Sequence, residues 1–454
     1  MRNILNFILQ HGTAAHLAIL TAAPLYLSSL CTDAVQASVL AWLSVLAALW
    51  VVMNPSPRWG EFPRDARRRI GGEIGRDPLL PVFACSLLLA AVRAVNGGLS
   101  IGYSHATRLW SIGGLRFESL PGSVWGAGNL SLAGLVSLIV VVFGVRHALG
   151  ERARRSFLLQ SSALSALAVA FWFLADAAHL SPRVFHATPA DSVYIGSSLL
   201  LFFLFSLVAW SESWNRPAVL EEFILAISAG GLLVGLILCA PPHLVWIALP
   251  IGLALLVTGA ILAVPRRPPV CWLWTLFALA CVALPLVFVF ADESSPALVR
   301  PFFPQGFLTL RETASSLALG AWRENLWFGN GLGSFPLALG FMASPDDWQV
   351  LSESQTSVPN GFVQVLFERG LIGASLMIIA LGLMLWDSFS RFLRAGQGWP
   401  FSTLHVLGPV ALLAVALVSF FESTFAQPAA LAPLGAALAV TAAAFPVDTE
   451  EEYG

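Results

Sequence analysis

The chain of 454 residues is 57% hydrophobic and only 11% charged, with a mean hydropathy of +0.78. Soluble domains carry about 25% charged residues, so this composition excludes an ordinary soluble protein and indicates a polytopic membrane protein. The net charge of −2 comes with no basic stripe, which argues against nucleic acid as a partner.

Apolar segments long enough to cross a bilayer recur along the whole chain. A span needs about 20 mostly apolar residues. The segments of this kind are 13–31, 36–53, 79–97, 129–145, 157–178, 192–210, 222–240, 244–264, 271–291, 368–386, 404–422 and 428–446. Arg93 lies near the outer end of the third segment, where we expect its side chain to snorkel to the interface. The segment 98–128, which contains Gly and Trp, is predicted as a loop with room for an interfacial helix.

The distribution of arginine predicts the orientation, because cytoplasmic loops carry the excess of basic residues. The arginine clusters in 54–78, 146–155, 266–267 and 391–394, together with Arg216, fall on alternate loops, all on one side of the membrane. The chain is therefore predicted to be an all-α polytopic membrane protein of about 12 transmembrane helices with both termini cytoplasmic.

This orientation gives four predicted regions. Transmembrane helices 1 to 9 occupy 1–291, and a large periplasmic loop occupies 292–366, between helices 9 and 10. Helices 10 to 12 occupy 367–447, and an acidic cytoplasmic tail occupies 448–454. A membrane protein with one loop of this size is expected to work there.

The loop carries three motifs in order. Arg311 opens an amphipathic segment, glycines follow at 329, 331 and 333, and Ser357-Val-Pro-Asn360 precedes Glu368-Arg-Gly-Leu-Ile-Gly373. With nine spans before the loop and three after it, this pattern resembles the O-antigen ligase and polymerase family of lipid-linked glycan enzymes. Arg183, ahead of the sixth span, is similar to the arginine that the family has there.

The resemblance implies a membrane glycosyltransferase of the bacterial inner membrane. Such an enzyme transfers a glycan from undecaprenyl pyrophosphate to a hydroxyl of a glycan or lipid acceptor at the periplasmic face, with inversion and without a metal or other cofactor. Arginine suits the binding of the pyrophosphate because its planar fork stays charged and can hold two phosphate oxygens. The resemblance gives this role to Arg311 and Arg183, and it places Asn360 at the substrate.

The chain departs from the family at the proposed base. Pro359 occupies the position of the family histidine, and proline accepts no proton. The candidate bases nearby are Glu353 and Glu368, and for Glu368 a role in orienting the loop is an alternative. The family's Ser-Arg pair near the eighth span is also missing, and His243 stands at that corner. The adjacent acids 346–347 are interpreted as a solvated turn, not as a metal site.

Two other functions remain open. A catalytically inactive or accessory family member would keep the fold without the base. A lipid or polysaccharide transporter would place ionisable residues near the middle of its spans, whereas here charge gathers at one external face. That distribution favours chemistry on a lipid headgroup at the membrane surface.

Overall fold

The computed structural model describes residues 2–30, 33–53, 72, 74–104, 109–113, 120–124, 126–177, 189–213, 219–239, 251, 307–344, 346–347, 351, 357–394, 404–421, 423, 425 and 428–444. These residues are mostly helical. The helices are α1 (Arg2–Leu30), α2 (Asp33–Met53), α3 (Leu79–Val95), α4 (Ala127–Phe143) with a π-helical turn over Gly144–Ala148, α5 (Glu151–Ala177), α6 (Pro189–Ser213), α7 (Val219–Cys239), α8 (Phe307–Glu324), α9 (Phe335–Met342), α10 (Gly361–Arg394), α11 (Leu404–Ser419) and α12 (Pro428–Ala444).

The predicted spans and the helices coincide wherever the chain is described. Within those residues, five helices carry a window long and apolar enough to cross a membrane: α2, α4 with its π-helical turn, α6, α7 and α10. Shorter apolar stretches lie in α1, α3, α11 and α12. The span predicted at 157–178 falls on α5, which is not among these. The spans predicted at 244–264 and 271–291 lie outside the described residues except for Ile251. The described residues are those of a mostly helical protein with apolar helices, and the number of twelve spans stays a prediction.

Helix α12 lies among its neighbours and packs on α4, α6, α10 and α11. Its face is built from small residues, which let helix backbones approach closely. A Cβ atom added at Gly435 would lie 3.0 Å from Cγ2 of Val142 in α4. A polar contact joins two other helices: Ser44 of α2 and Ser137 of α4 share a hydrogen bond of 2.8 Å.

A proline inside α11 leaves a gap in its hydrogen bonding that α12 fills. The Oγ1 atom of Thr441 accepts the backbone N–H of Gly408 at 2.6 Å and lies 3.1 Å from the carbonyl oxygen of Leu404. Gly408 directly precedes Pro409, so the hydroxyl bridges the donor and acceptor beside the proline. Such repair is needed where lipid offers no water to unpaired backbone groups.

The segment 98–128 was predicted as a loop, and that prediction is wrong. The described residues are mostly helical, as predicted for the fold class, with a small amount of strand in addition. The segment holds a three-stranded sheet in the order β2-β1-β3, with β1 at Gly97–Ser104, β2 at Leu109–Gly113 and β3 at Ser123–Val124. Strands β1 and β2 pair antiparallel, from Ser100 opposite Gly113 to Ser104 opposite Leu109. The alternation of Leu99, Ile101 and Tyr103 with small residues is the period-2 pattern of a strand.

An ionic cluster ties three helices together at the end where α3 begins. Arg146, in the π-helical turn, lies 3.2 Å from the carboxylate of Asp77 and 2.7 Å from that of Asp387 in α10. His147 contacts Asp77 at 3.0 Å. Burial alone would raise the pKa of Asp77, but the hydrogen bond with His147 and the charge of Arg146 outweigh it and hold the pKa below its usual value. We call these four residues the Asp77 cluster.

The described part of the long loop has a small hydrophobic core of its own. Ala314, Ala318 and Ala321 of α8 pack with Phe335 and Leu339 of α9. The cluster also takes in Leu351, Val358 and Phe367, and so joins the loop to the first turns of α10. The rings of Phe335 and Phe367 meet edge to face, with centroids 5.6 Å apart. The loop motifs are therefore held against α10 by packing.

Candidate functional site

The glycine turn, Gly329 to Gly333, packs backbone to backbone against a break in α10. Its glycines at 329, 331 and 333 have φ of +70°, +98° and +70°, and Gly370 in α10 has φ of +63° with ψ of −172°. A Cβ atom on Gly329 would lie 2.6 Å from the nitrogen of Gly370, and one on Gly370 would lie 2.5 Å from the nitrogen of Gly329. Both positions require glycine because they combine positive φ with close backbone approach.

The break frees backbone groups of α10, and the polypeptide around the glycine turn pairs with them. The bonds join N of Asn330 to O of Phe367 (2.7 Å), N of Gly331 to O of Glu368 (3.2 Å), N of Leu371 to O of Leu326 (3.0 Å) and N of Ile372 to O of Trp327 (3.1 Å). The two predicted motifs, 329–333 and 368–373, therefore form one assembly. Strand β3 joins it, since the N–H of Val124 donates to the carbonyl oxygen of Leu332 at 2.9 Å.

Glu368 is buried and holds this assembly from within. Its Oε1 atom accepts the backbone N–H of Gly333 at 2.9 Å and the side-chain amide of Gln364 at 2.6 Å. Gln364 in turn accepts the backbone N–H of Val358 at 2.7 Å. These contacts connect the glycine turn, α10 and the segment before α10. They are those of a residue that orients the loop, and proton transfer by Glu368 stays a prediction.

Arg93 does not snorkel to the interface as expected from the sequence, because its partners lie inside the protein. The residue is only 2% exposed, and its Nη2 atom donates to the carbonyl oxygens of Phe328 at 2.8 Å and Arg369 at 3.0 Å. Its own carbonyl oxygen accepts the hydroxyl of Ser123 at 3.0 Å. Arg93 therefore binds backbone oxygens on both sides of the contact between the glycine turn and α10. An arginine within an apolar segment was the available signal, since such residues are costly and commonly functional.

Arg369 lies next to this contact, and Gly373 one turn later leaves room for its side chain. A Cβ atom on Gly373 would lie 3.5 Å from Cγ and 3.6 Å from Cδ of Arg369. The Nε atom of Arg369 is buried and has no hydrogen-bond partner among the described residues. The sequence places Arg369 inside the quoted motif but gives no reason to select it.

An apolar groove runs between α3, α4, α10 and α12, with an empty volume of about 930 Å³ that includes the space at its open side. Its apolar walls include Phe83, Ala90, Leu138, Met377, Met384 and Leu434. Arg93, Arg369 and Leu332 of the glycine turn line it as well. Arg93 lies near the end of α3, at the glycine turn, and the Asp77 cluster lies at the start of α3. Because Arg93 and Arg369 both line the groove at the glycine turn, this is the cationic end of the groove.

Arg311, the arginine expected to bind pyrophosphate, lies on α8 at the edge of the loop core. Its guanidinium sits 5.4 Å from the centre of the Phe421 ring, and its buried Nε atom has no hydrogen-bond partner among the described residues. Burial lowers the pKa of Arg311, with the charge of Glu312 acting in the opposite sense. Arg311 is not one of the described residues that line the groove.

Pro359 and Asn360 shape the start of α10. The N–H of Asn360 donates to the carbonyl oxygen of Val358 at 2.7 Å, so Pro359 is the central residue of a tight turn. The proline ring favours the φ angle that this central position requires. The Oδ1 atom of Asn360 accepts the N–H groups of Phe362 at 3.1 Å and Val363 at 3.2 Å, which makes Asn360 the N-cap of α10. A role at the substrate stays a prediction for Asn360.

Two further predicted site residues, Arg183 and Glu353, lie outside the described residues, as does His243. Asp347 is described, and its carboxylate accepts the hydroxyl of Ser344 at 2.7 Å and its N–H at 2.8 Å. These bonds hold the pKa of Asp347 below its usual value, as in a solvated turn.

No family model matches the chain, and no curated protein matches it.

Proposed function

We propose that the protein is a membrane glycosyltransferase, which moves a glycan from a lipid-linked diphosphate such as undecaprenyl pyrophosphate to an acceptor hydroxyl. The observation that carries the proposal is the position of the groove. Its cationic end meets the assembly of 329–333 with 368–373, the two motifs on which the resemblance to the O-antigen ligases and polymerases depends. The arginine distribution favours the external face of the membrane for this end, and the resemblance implies that this is the periplasmic face of a bacterial inner membrane.

The reaction needs charge neutralisation more than it needs a strong nucleophile. The acceptor oxygen attacks the anomeric carbon, and the bond from that carbon to the diphosphate oxygen breaks. The lipid diphosphate leaves with the electron pair, and the hydroxyl proton passes to a base or to water. A single displacement of this kind inverts the anomeric centre. Arginine side chains stabilise the charge that develops on the leaving diphosphate and require no metal for it.

Two carboxylates are candidates for the proton acceptor. Glu368 is buried and its Oε1 atom already accepts two hydrogen bonds. Glu353 is the other carboxylate proposed from the sequence. The tight turn at Pro359, in the place of the family histidine, favours a second candidate function: an accessory protein that binds the lipid-linked glycan without turning it over.

A deletion strain tests the proposal through its glycan profile. Single lipid-linked units should accumulate if the protein is a polymerase, and long chains should remain on the carrier if it is a ligase. Complementation with Arg311→Ala should restore little transfer, while complementation with the exposed Arg323→Ala on the same helix should restore it fully. An unchanged glycan profile in the deletion strain would contradict the proposed function.

A further inference from the structure

The groove carries more positive than negative charge at its glycine-turn end. Arg93 and Arg369 contribute two guanidinium groups, and among the described residues Glu368 is the carboxylate whose charge acts on both. That carboxylate is already engaged by Gly333 and Gln364. Buried charge without a counter-charge is costly in a low-dielectric environment. An anion in the groove beside these arginines would remove this cost.

The apolar walls of the groove indicate that the anion carries an apolar chain. Along α10 the lining runs from Arg369 to Met384, which at 1.5 Å per residue is about 22 Å. Asp387, one turn beyond Met384, belongs to the Asp77 cluster and terminates the groove with a neutralised ionic contact. Among the described residues that line the groove, the cations are Arg93 and Arg369, and both lie at the glycine-turn end, so the two ends of the groove differ in charge.

Hydrogen bonds to backbone carbonyl oxygens fix the side chain of Arg93 in place. Arg93 holds the carbonyl oxygen of Arg369, and Gly373 leaves the space that the Arg369 side chain occupies. The Nε atoms of both arginines are buried without a hydrogen-bond partner in the described residues. Two guanidinium groups that line the same end of a groove can bind a phosphate or diphosphate through their N–H donors.

We infer that this groove binds one membrane lipid, with its chain between α3, α4, α10 and α12 and its phosphate or diphosphate headgroup against Arg93 and Arg369. This headgroup site is thus at the break in α10, and Arg311, whose role in transfer is tested separately, does not line it. The choice of a polyprenyl diphosphate as the lipid rests on the proposed function. The site itself rests on the charge and shape of the groove.

The test is lipid binding by the purified full-length protein in detergent, with undecaprenyl diphosphate, undecaprenol and inorganic pyrophosphate as separate probes. Arg369→Gln removes a cation that makes no side-chain hydrogen bond to the described protein, so the fold should persist. Ala380→Trp fills the groove. The matched controls are Arg323→Gln, on the exposed face of α8, and Ile378→Trp, which is 64% exposed on α10. Thermal unfolding confirms that each variant is folded.

Undecaprenyl diphosphate should bind at least about tenfold more tightly than undecaprenol or pyrophosphate, because only it satisfies both ends of the site. Arg369→Gln and Ala380→Trp should each weaken its binding about tenfold or more, and the controls should change it less than about twofold. Equal binding of the neutral lipid, or unchanged binding in either groove variant, would overturn the inference. A different combination of results separates the two proposals. If the lipid binds and both groove variants weaken its binding, but the deletion strain keeps a normal glycan profile, the proposed function is refuted and the lipid site stands.

Discussion

Replacing Gly370 by alanine tests whether the break in α10 is required by its contact with the glycine turn. The residue has φ of +63° and ψ of −172°, a region that is essentially restricted to glycine and costs other residues about 1–3 kcal/mol. The added Cβ atom would also lie 2.5 Å from the nitrogen of Gly329. The obstructing atoms are backbone, so no side-chain rotation relieves the contact.

Relief of this contact requires the glycine turn to move away from α10. That movement weakens the four backbone hydrogen bonds across the break, each of which contributes about 1 kcal/mol. We therefore expect Gly370→Ala to lower the free energy of unfolding by about 3–5 kcal/mol. Gly382→Ala is the matched control in the same helix, because a Cβ atom there meets nothing within 4 Å. It should raise the stability by about 0.5–1 kcal/mol.

The measurement is denaturant-induced unfolding of both variants and the parent protein in the same detergent. Lipid binding measured alongside reports on the groove, which should lose affinity in Gly370→Ala because Arg369 is the preceding residue. If Gly370→Ala and Gly382→Ala differ by less than about 1 kcal/mol in their free energies of unfolding, the reasoning from positive φ and close approach is refuted.

Other substitutions test the remaining parts of the site. Arg311→Ala should reduce glycan transfer in the complementation assay, and full activity would exclude Arg311 from the reaction. Pro359→His should raise transfer if only the base is missing; unchanged transfer would indicate that proton removal does not limit the reaction. Glu368→Ala should destabilise the protein by about 1–3 kcal/mol, because the N–H of Gly333 loses its buried acceptor; an unchanged unfolding curve would argue against this. Asp77→Asn should cost about 3–5 kcal/mol at neutral pH. Since the folded pKa of Asp77 is lowered, this contribution is present above the usual carboxyl pKa and is lost as pH falls through the folded value, so a pH-independent difference between Asp77→Asn and the parent would contradict the assignment.

The helices were predictable because hydropathy is a local property of the sequence. A run of apolar residues favours a helix in lipid whatever surrounds it, so the predicted spans and the described helices coincide. The strands of 97–113 were missed although their alternation is equally local, because the segment was interpreted only as a link between spans.

The site was predicted only in part because its contacts connect distant positions. The motifs around the glycine turn and Glu368 were visible as motifs, but nothing in either one shows that α10 breaks at Gly370 to receive the other. Arg93 binds residues 235 and 276 positions away in the chain. Its role depends on tertiary packing, and a single sequence contains only the observation that an arginine stands in an apolar segment.

The ties at the two ends of the groove determine which of its walls can yield. Helix α3 is joined to α10 through Arg93 at one end and through the Asp77 cluster at the other, and that cluster also holds the end of α4. Helix α12 differs: in the described part of the chain, its side-chain hydrogen bonds to other helices are those of Thr441 with α11. Helices α3 and α10 are thus joined at both ends of the groove, and α4 is joined to them at one end. Helix α12 contacts α4 and α10 by packing. Because α12 is buried among its neighbours, a bound chain would be accommodated by a small shift of α12 against α4 and α10, which breaks no ion pair among the described residues.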